Sequence, residues 1–213
     1  MTDTWVFPVG HYLGPHHPAA GAAPDSHRVR VGDEVVRLAT GAELLVWGLA
    51  HGLPAASSTP GAVWTRDDVI RLAAERVTAD FSGVLADLLA AGALVEVGPD
   101  GVAPAVFARS HRLRPLLSGL GSGAGRPDRY RIGVFGEEPV AVVDVRVFDL
   151  WQWATRVGTL ADLNEMQALT GPLLGDDDDG VPGLLHRVHL LLANGCGYLD
   201  VAASRVATGA TST

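Results

Sequence analysis

The spacing of apolar and polar residues divides the chain into short segments of two different periods. RVRVGDEVVRL, from Arg28 to Leu38, alternates with period two on either side of Gly32-Asp33. It reads as a β-hairpin with Gly at the first central turn position. A two-residue turn pairs Arg30 with Val35 and Arg28 with Arg37. Arg28, Arg30, Val35 and Arg37 then share one face, while Val29, Val31, Val36 and Leu38 turn to the core. From Ala42 to His51 the period is helical, and it stops at Gly52 and Pro54. TRDDVIRLAAERV opens a second helix, with Thr65 as N-cap and Asp67 and Asp68 in the first turn, where the helix dipole favours carboxylates. A third helix runs from near Asp80 to Gly92. ALVEV-GPDG-VAPAVF then reads as two short strands about a Pro-Asp-Gly turn. Hairpin, three helices and a closing hairpin is the winged-helix order, an α+β class.

The pattern occurs twice. LLAAGALVEV at Leu88 to Val97 returns as LLANGCGYLDV at Leu191 to Val201, and RVRVG at Arg28 returns as RYRIG at Arg129. Between opening and close lies a Trp-bearing helix, AELLVWGLAHG in one copy and FDLWQWATRVG in the other. The offsets are 101 residues from Arg28 to Arg129, 104 from Trp47 to Trp151 and 103 from Gly92 to Gly195. Matches in one order at one spacing indicate an internal duplication, hence tandem winged-helix units. The second copy keeps Arg129 and Arg131 on one hairpin face, inserts GPLLGDDDDGVPG before its last helix and has a poorer wing. The organisation expected is a flexible Pro-, Gly- and His-containing arm over 1–27 and a first unit over 28–106. An Arg/Gly-rich linker over 107–127, a second unit over 128–203 and a disordered tail over 204–213 would follow.

Composition narrows the setting. With 213 residues and 47% hydrophobic content, two small cores are possible, each marginal alone. No apolar run approaches the ~18 residues of a membrane span. MTDTWVFPVG lacks the basic-then-apolar pattern of a signal peptide, and the single Cys196 excludes a disulfide framework. A cytoplasmic protein is expected. All sixteen basic residues are Arg. Residues 28–106 carry six Arg against ten acids and 132–203 three against eleven, while 107–131 carries six against one. A basic connector would thus join two acidic lobes.

That charge pattern bears on DNA. A DNA-reading winged helix needs basic or amide side chains on its third helix. DFSGVLADLLAAG has none, and GLLHRVHLLLANG offers only His186, Arg187 and His189, with Asn194 at its end. DNA is therefore not the expected ligand of the third helices. A DNA-binding regulator would have to use the connector.

Enzymatic chemistry finds no motif. Cys196 between two glycines reads as a small residue in a tight corner. His11, His16 and His17 sit in a Pro- and Gly-rich arm without further ligands for a metal. Asp176 to Asp179 lack the spaced alternation of a calcium loop and read as solvated. His186 and His189, three apart, read as a partly buried pair on one helix face. No P-loop, dinucleotide fingerprint or nucleophile elbow is present. No cofactor and no metal are expected.

The run VRVGDEVVRLATGAELLVWGLAHG with the closing VLADLLAAGALVEV resembles the PqqD-like domains, the RiPP precursor recognition elements of peptide natural-product pathways. The likeness covers 28–97 best and 129–201 more weakly. It implies that a precursor's leader peptide adds as a strand to the sheet edge and lies against the third helix. The groove would use Val35, Val36, Arg37 and Leu38 with Val84, Asp87, Leu88 and Ala91, and Arg28, Arg30 and Arg37 would meet acidic residues. The chain departs from the family in being duplicated and in lacking a recognisable enzyme domain. The function expected is non-catalytic binding of an acidic peptide or partner protein, and its presentation to a modifying enzyme, with a homodimer possible. The alternatives are a DNA-binding transcriptional regulator and a tandem winged-helix assembly scaffold. An enzyme whose site includes the His-bearing arm ranks below both.

Overall fold

The structure, a computed structural model, describes residues 4–54, 64–76, 80–170 and 179–203. Lobe 1 contains β1 (Trp5–Pro8), β2 (His11–His16), β3 (Ser26–Val31), β4 (Glu34–Leu38), α1 (Gly41–Leu49), α2 (Arg66–Ala74), α3 (Phe81–Ala90) and β5 (Leu94–Val97). Helix α4 (Ala103–Ser110) leads into lobe 2. Its elements are β6 (His111–Pro115), β7 (Ser118–Gly123), β8 (Arg126–Gly133), β9 (Ala141–Val143), α5 (Val145–Trp153), α6 (Leu160–Thr170), α7 (Gly180–Ala193) and β10 (Gly197–Val201). The fold is α+β, with seven helices and small antiparallel sheets among the described residues.

The same order and pairing appear in both lobes. β2-β3-β4 is matched by β7-β8-β9, and the antiparallel ribbon β1-β5 by β6-β10. Local sequence explains the elements. Thr40 caps α1 and Thr65 caps α2, each in a capping box, with Glu43 and Asp68 returning the bond. α3 and α7 end alike, on Gly92 (φ 70) and Gly195 (φ 64). In each, the glycine N–H reaches the carbonyl three residues back (Leu89, Leu192) and the next N–H reaches five back (Leu88, Leu191). These are Schellman ends, for which a left-handed glycine is suited. Cys196 therefore stands where lobe 1 has Ala93, and both are fully buried.

The ribbon β1-β5 lies between two cores. Val6 and Leu94 belong to the core of lobe 1, with Val29, Leu38, Trp47, Leu85 and Leu88. Trp5, Phe7 and Val97 turn the other way, into the core of lobe 2 with Leu113, Ile132, Trp151, Leu185 and Leu199. WVFP is apolar at every position because both of its faces are covered.

Four expectations are corrected. The segment 1–27 is not simply a flexible arm, since it supplies β1 and β2, and β2 pairs along β3. The segment 107–127 is no linker, because it holds the end of α4, β6 and β7. Repeat boundaries accordingly fall near Trp5–Val97 and His111–Val201 rather than at 28–106 and 128–203. The closing hairpin of lobe 1 is absent: β5 takes β1 as its partner, and residues 103–110 form α4. In α4 the helical spacing buries Pro104, Phe107 and Ala108, and the proline sits at the helix start, where its missing N–H costs nothing. The tail over 204–213 lies outside the described residues.

Candidate functional site

Strand β4 is an edge of its sheet, with a strand partner on one side only among the described residues. Its register with β3 is Arg28↔Arg37, Val29↔Val36, Arg30↔Val35 and Val31↔Glu34. That is the pairing dictated by the two-residue turn Gly32-Asp33, where Gly32 has φ 58. Because such a turn closes on a hydrogen-bonded pair and the ladder alternates, Val35 and Arg37 turn their N–H and C=O to the open edge. The outer face carries Arg28, Arg30, Val35 (54% exposed) and Arg37.

The two ends of this face differ in their charge partners. Arg37 donates to Asp25 at 3.2 Å, so one arginine of the face has an acidic partner within the chain. Asp25 is held below its usual range first by a hydrogen bond from His16, then by Ser26, and by the nearby Arg37. The side chains of Arg28 and Arg30, by contrast, make no hydrogen bond or ion pair among the described residues. They are exposed cations on the central strand, beside the open edge.

The inner side of the groove is partly closed. Leu38 (0% exposed) and Leu88 (2%) are core residues and cannot line an open surface, a correction that follows from their packing in one cluster. Val36 and Val84 are half-buried at the margin of that cluster, while Asp87 and Ala91 face solvent on α3. Helix α1 packs against both β4 and α3. The predicted residues are thus an exposed Arg face, an open edge and a separate exposed face of α3, not one continuous groove.

The arginines of 107–131 are dispersed. Arg112 donates to Asp200 at 2.9 Å. Arg131 donates to the carbonyls of Leu120, Gly121 and Ser122, and Arg126 and Arg129 flank Asp128. They belong to α4, β6 and β8 and form no basic connector.

The histidines are separated as well. His11 stacks on Tyr198, His16 bonds Asp25, and His17 bonds the carbonyl of Ala22. His186 lies against Trp5. His189 is buried between Phe7 and Trp64, and burial first, then His51 and His186, push it down to about 4, so it is neutral at pH 7. Burial raises the Cys196 thiol to about 11, which leaves it protonated and unreactive. No cluster of three or more metal-ligating side chains exists among the described residues. No helix there is long and apolar enough to cross a membrane. Asp176, Asp177 and Asp178 lie outside the described residues, and Asp179 accepts two bonds from Arg187, at 2.6 and 3.0 Å.

Compared with known proteins, the chain matches no family model, no curated protein and no solved structure. The site therefore rests on its own geometry.

Sequence reasoning missed two residues of that geometry. Asp25 immediately precedes β3, so its position was a usable signal. Asp200 accepts from the Gly32 N–H at 2.7 Å across 168 residues, and nothing local announces it. The strand pair β2 and β7 was also detectable. Pro8 and Leu13-Gly14 recur as Pro115 and Leu120-Gly121, 107 residues apart, and Gly14 (φ 94) and Gly121 (φ 71) both sit at bulges.

Proposed function

We propose that lobe 1 binds an acidic, extended peptide by strand addition to β4, and that the chain is a non-catalytic recognition protein of the PqqD-like kind, built from two winged-helix-like units. The observation that carries this reading is the five-residue open edge of β4 beside Arg28 and Arg30, two exposed cations without partners among the described residues. Main-chain bonds to Val35 and Arg37 supply affinity, and the arginines select carboxylates on the same face of the incoming strand. A three-stranded sheet followed by three helices supports the resemblance, because it puts the receiving strand next to the first helix. The bound peptide would be presented to a separate modifying enzyme.

Calorimetric titration with a panel of short synthetic peptides rich in Asp and Glu tests this. The wild type should bind one of them, and Val35→Pro, which removes an N–H from the open edge only, should abolish binding while the chain stays folded. Val36→Pro removes a ladder donor and should damage binding and folding together. A Val35→Pro variant that binds as tightly as wild type overturns strand addition at β4.

A further inference from the structure

We infer that lobe 2 serves as a clamp on the receiving hairpin, with Asp200 as the positioning residue. Asp200 lies on β10 and is 7% exposed. Its Oδ1 accepts the Gly32 N–H at 2.7 Å and the Val201 N–H at 3.0 Å, and its Oδ2 accepts Arg112 of β6 at 2.9 Å. Gly32 is the turn that joins β3 to β4, so one buried carboxylate of lobe 2 grips the end of the edge strand in lobe 1. The grip is shape-specific: a Cβ on Gly32 would lie 2.8 Å from Val201 Cγ2. A few residues away the lobes are joined again, by Gly10 N–H donating to the Leu199 carbonyl at 2.7 Å and by His11 stacked on Tyr198.

The contact has no reciprocal. By the 103-residue offset Asp200 corresponds to Val97, which accepts no side-chain bond, and Gly133, the counterpart of Gly32, packs on Leu120, Pro139 and Val140 of its own lobe. The edge strand of lobe 2 is also only three residues long, and Arg131 is spent on its own sheet. One lobe therefore receives and the other holds. An ordered edge pays less entropy on strand addition than a fraying one. The part of this inference that concerns peptide affinity rests on the proposed function, while the clamp itself does not.

Hydrogen exchange on the full chain separates the two. In Asp200→Asn and Asp200→Ala, amides of 27–38 should lose about tenfold more protection than amides of α2 and α3 in the same lobe. Equal losses in hairpin and helices overturn the clamp, because a merely structural carboxylate would loosen both. Should both variants fail to fold, the wild type decides. The Gly32 amide proton should titrate together with the Asp200 carboxyl, whose charged neighbours are Arg112 and His111, both on β6. A Gly32 resonance that stays flat through that titration overturns the inference. Failure of the peptide titration with an intact clamp removes only the binding reading.

Discussion

The two lobes share an element order and differ at the positions that matter for recognition. In lobe 1 the edge strand has five residues, and Arg30 of the central strand projects without a partner among the described residues. In lobe 2 the edge strand ends at Val143 because Asp144 at once caps α5, and Arg131, at the place of Arg30, is folded back on three carbonyls of β7. The junction is asymmetric in the same sense, with Asp200 where lobe 1 has Val97. The two lobes repeat one element order and strand pairing while their surfaces differ, so function cannot be transferred from one lobe to the other by alignment alone.

The comparison breaks most severely at Asp200. Asp200→Ala leaves the half-buried Arg112 without its carboxylate and the Gly32 N–H without its acceptor, and should cost about 3 kcal/mol in denaturant unfolding, whereas Val97→Asp should create no compensating bond. Acid should weaken the same contact. Burial opposes ionisation of Asp200, but bonds from Gly32, Arg112 and Val201 outweigh it and hold the carboxyl below its usual range. A depressed carboxyl contributes stability that is present above its unfolded pKa and lost as pH falls through the folded one. Unfolding free energy should therefore fall as pH drops below about 4, and the fall should be shallower in Asp200→Asn, the remainder coming from Asp25, Asp68, Asp128 and Asp179, which are held below their usual range as well.

Gly10 and Leu117 test the equivalence of the lobes. They occupy matching positions 107 residues apart, and both have positive φ, 107 and 68. A Cβ at Gly10 would meet Val29 Cγ1 at 2.5 Å and the Arg30 carbonyl at 2.8 Å. Gly10→Leu should cost about 2–4 kcal/mol, combining overpacking and left-handed strain. The arginines sharpen the functional contrast. Glu in place of Arg28, Arg30 and Arg37 should remove most peptide affinity with the melting temperature near wild type, and one Arg→Ala should cost about 0–1 kcal/mol of binding. Glu at Arg131 should leave binding intact. Unchanged affinity in the triple variant would mean that the face is only solvated surface. One change should be a gain: Leu117→Gly relieves left-handed strain and should stabilise by less than about 1 kcal/mol, read as a raised melting temperature.

Legibility in the sequence followed the range of the interactions. The register of β3 and β4 could be read because a two-residue turn determines it, and α2 and α3 could be read from Thr65, Asp80 and Gly92, which cap their own helices. The partner of β5 could not, since Leu94 pairs with Pro8 far back in the chain and a pairing of that kind leaves no local mark. β2 was hidden by Gly14 and Pro15, residues that usually punctuate loops but here form a bulge on an edge. VAPAVF reads as a strand because it follows a Pro-Asp-Gly turn, and burial of Phe107 and Ala108 on one helical face overrides that signal. Of the candidate site, the outer face of the hairpin was legible from alternation. The closure of the groove by Leu38 and Leu88 depended on three-dimensional packing.

The placement of β1 also governs how the chain can emerge from a ribosome. Trp5 and Phe7 are made roughly 180 residues ahead of their neighbours Leu185, His189 and Leu199. Val6 finds its cover in lobe 1 as soon as Leu94 has been synthesised, but the opposite side of the same strand stays greasy until α7 and β10 arrive. One side of β1 therefore lacks its cover until lobe 2 has been synthesised, a stage at which exposed apolar surface makes a chain prone to aggregate. A fragment ending near Val97 would carry an indole and a phenyl ring into solvent. The two lobes repeat one pattern of elements but complete their cores only together.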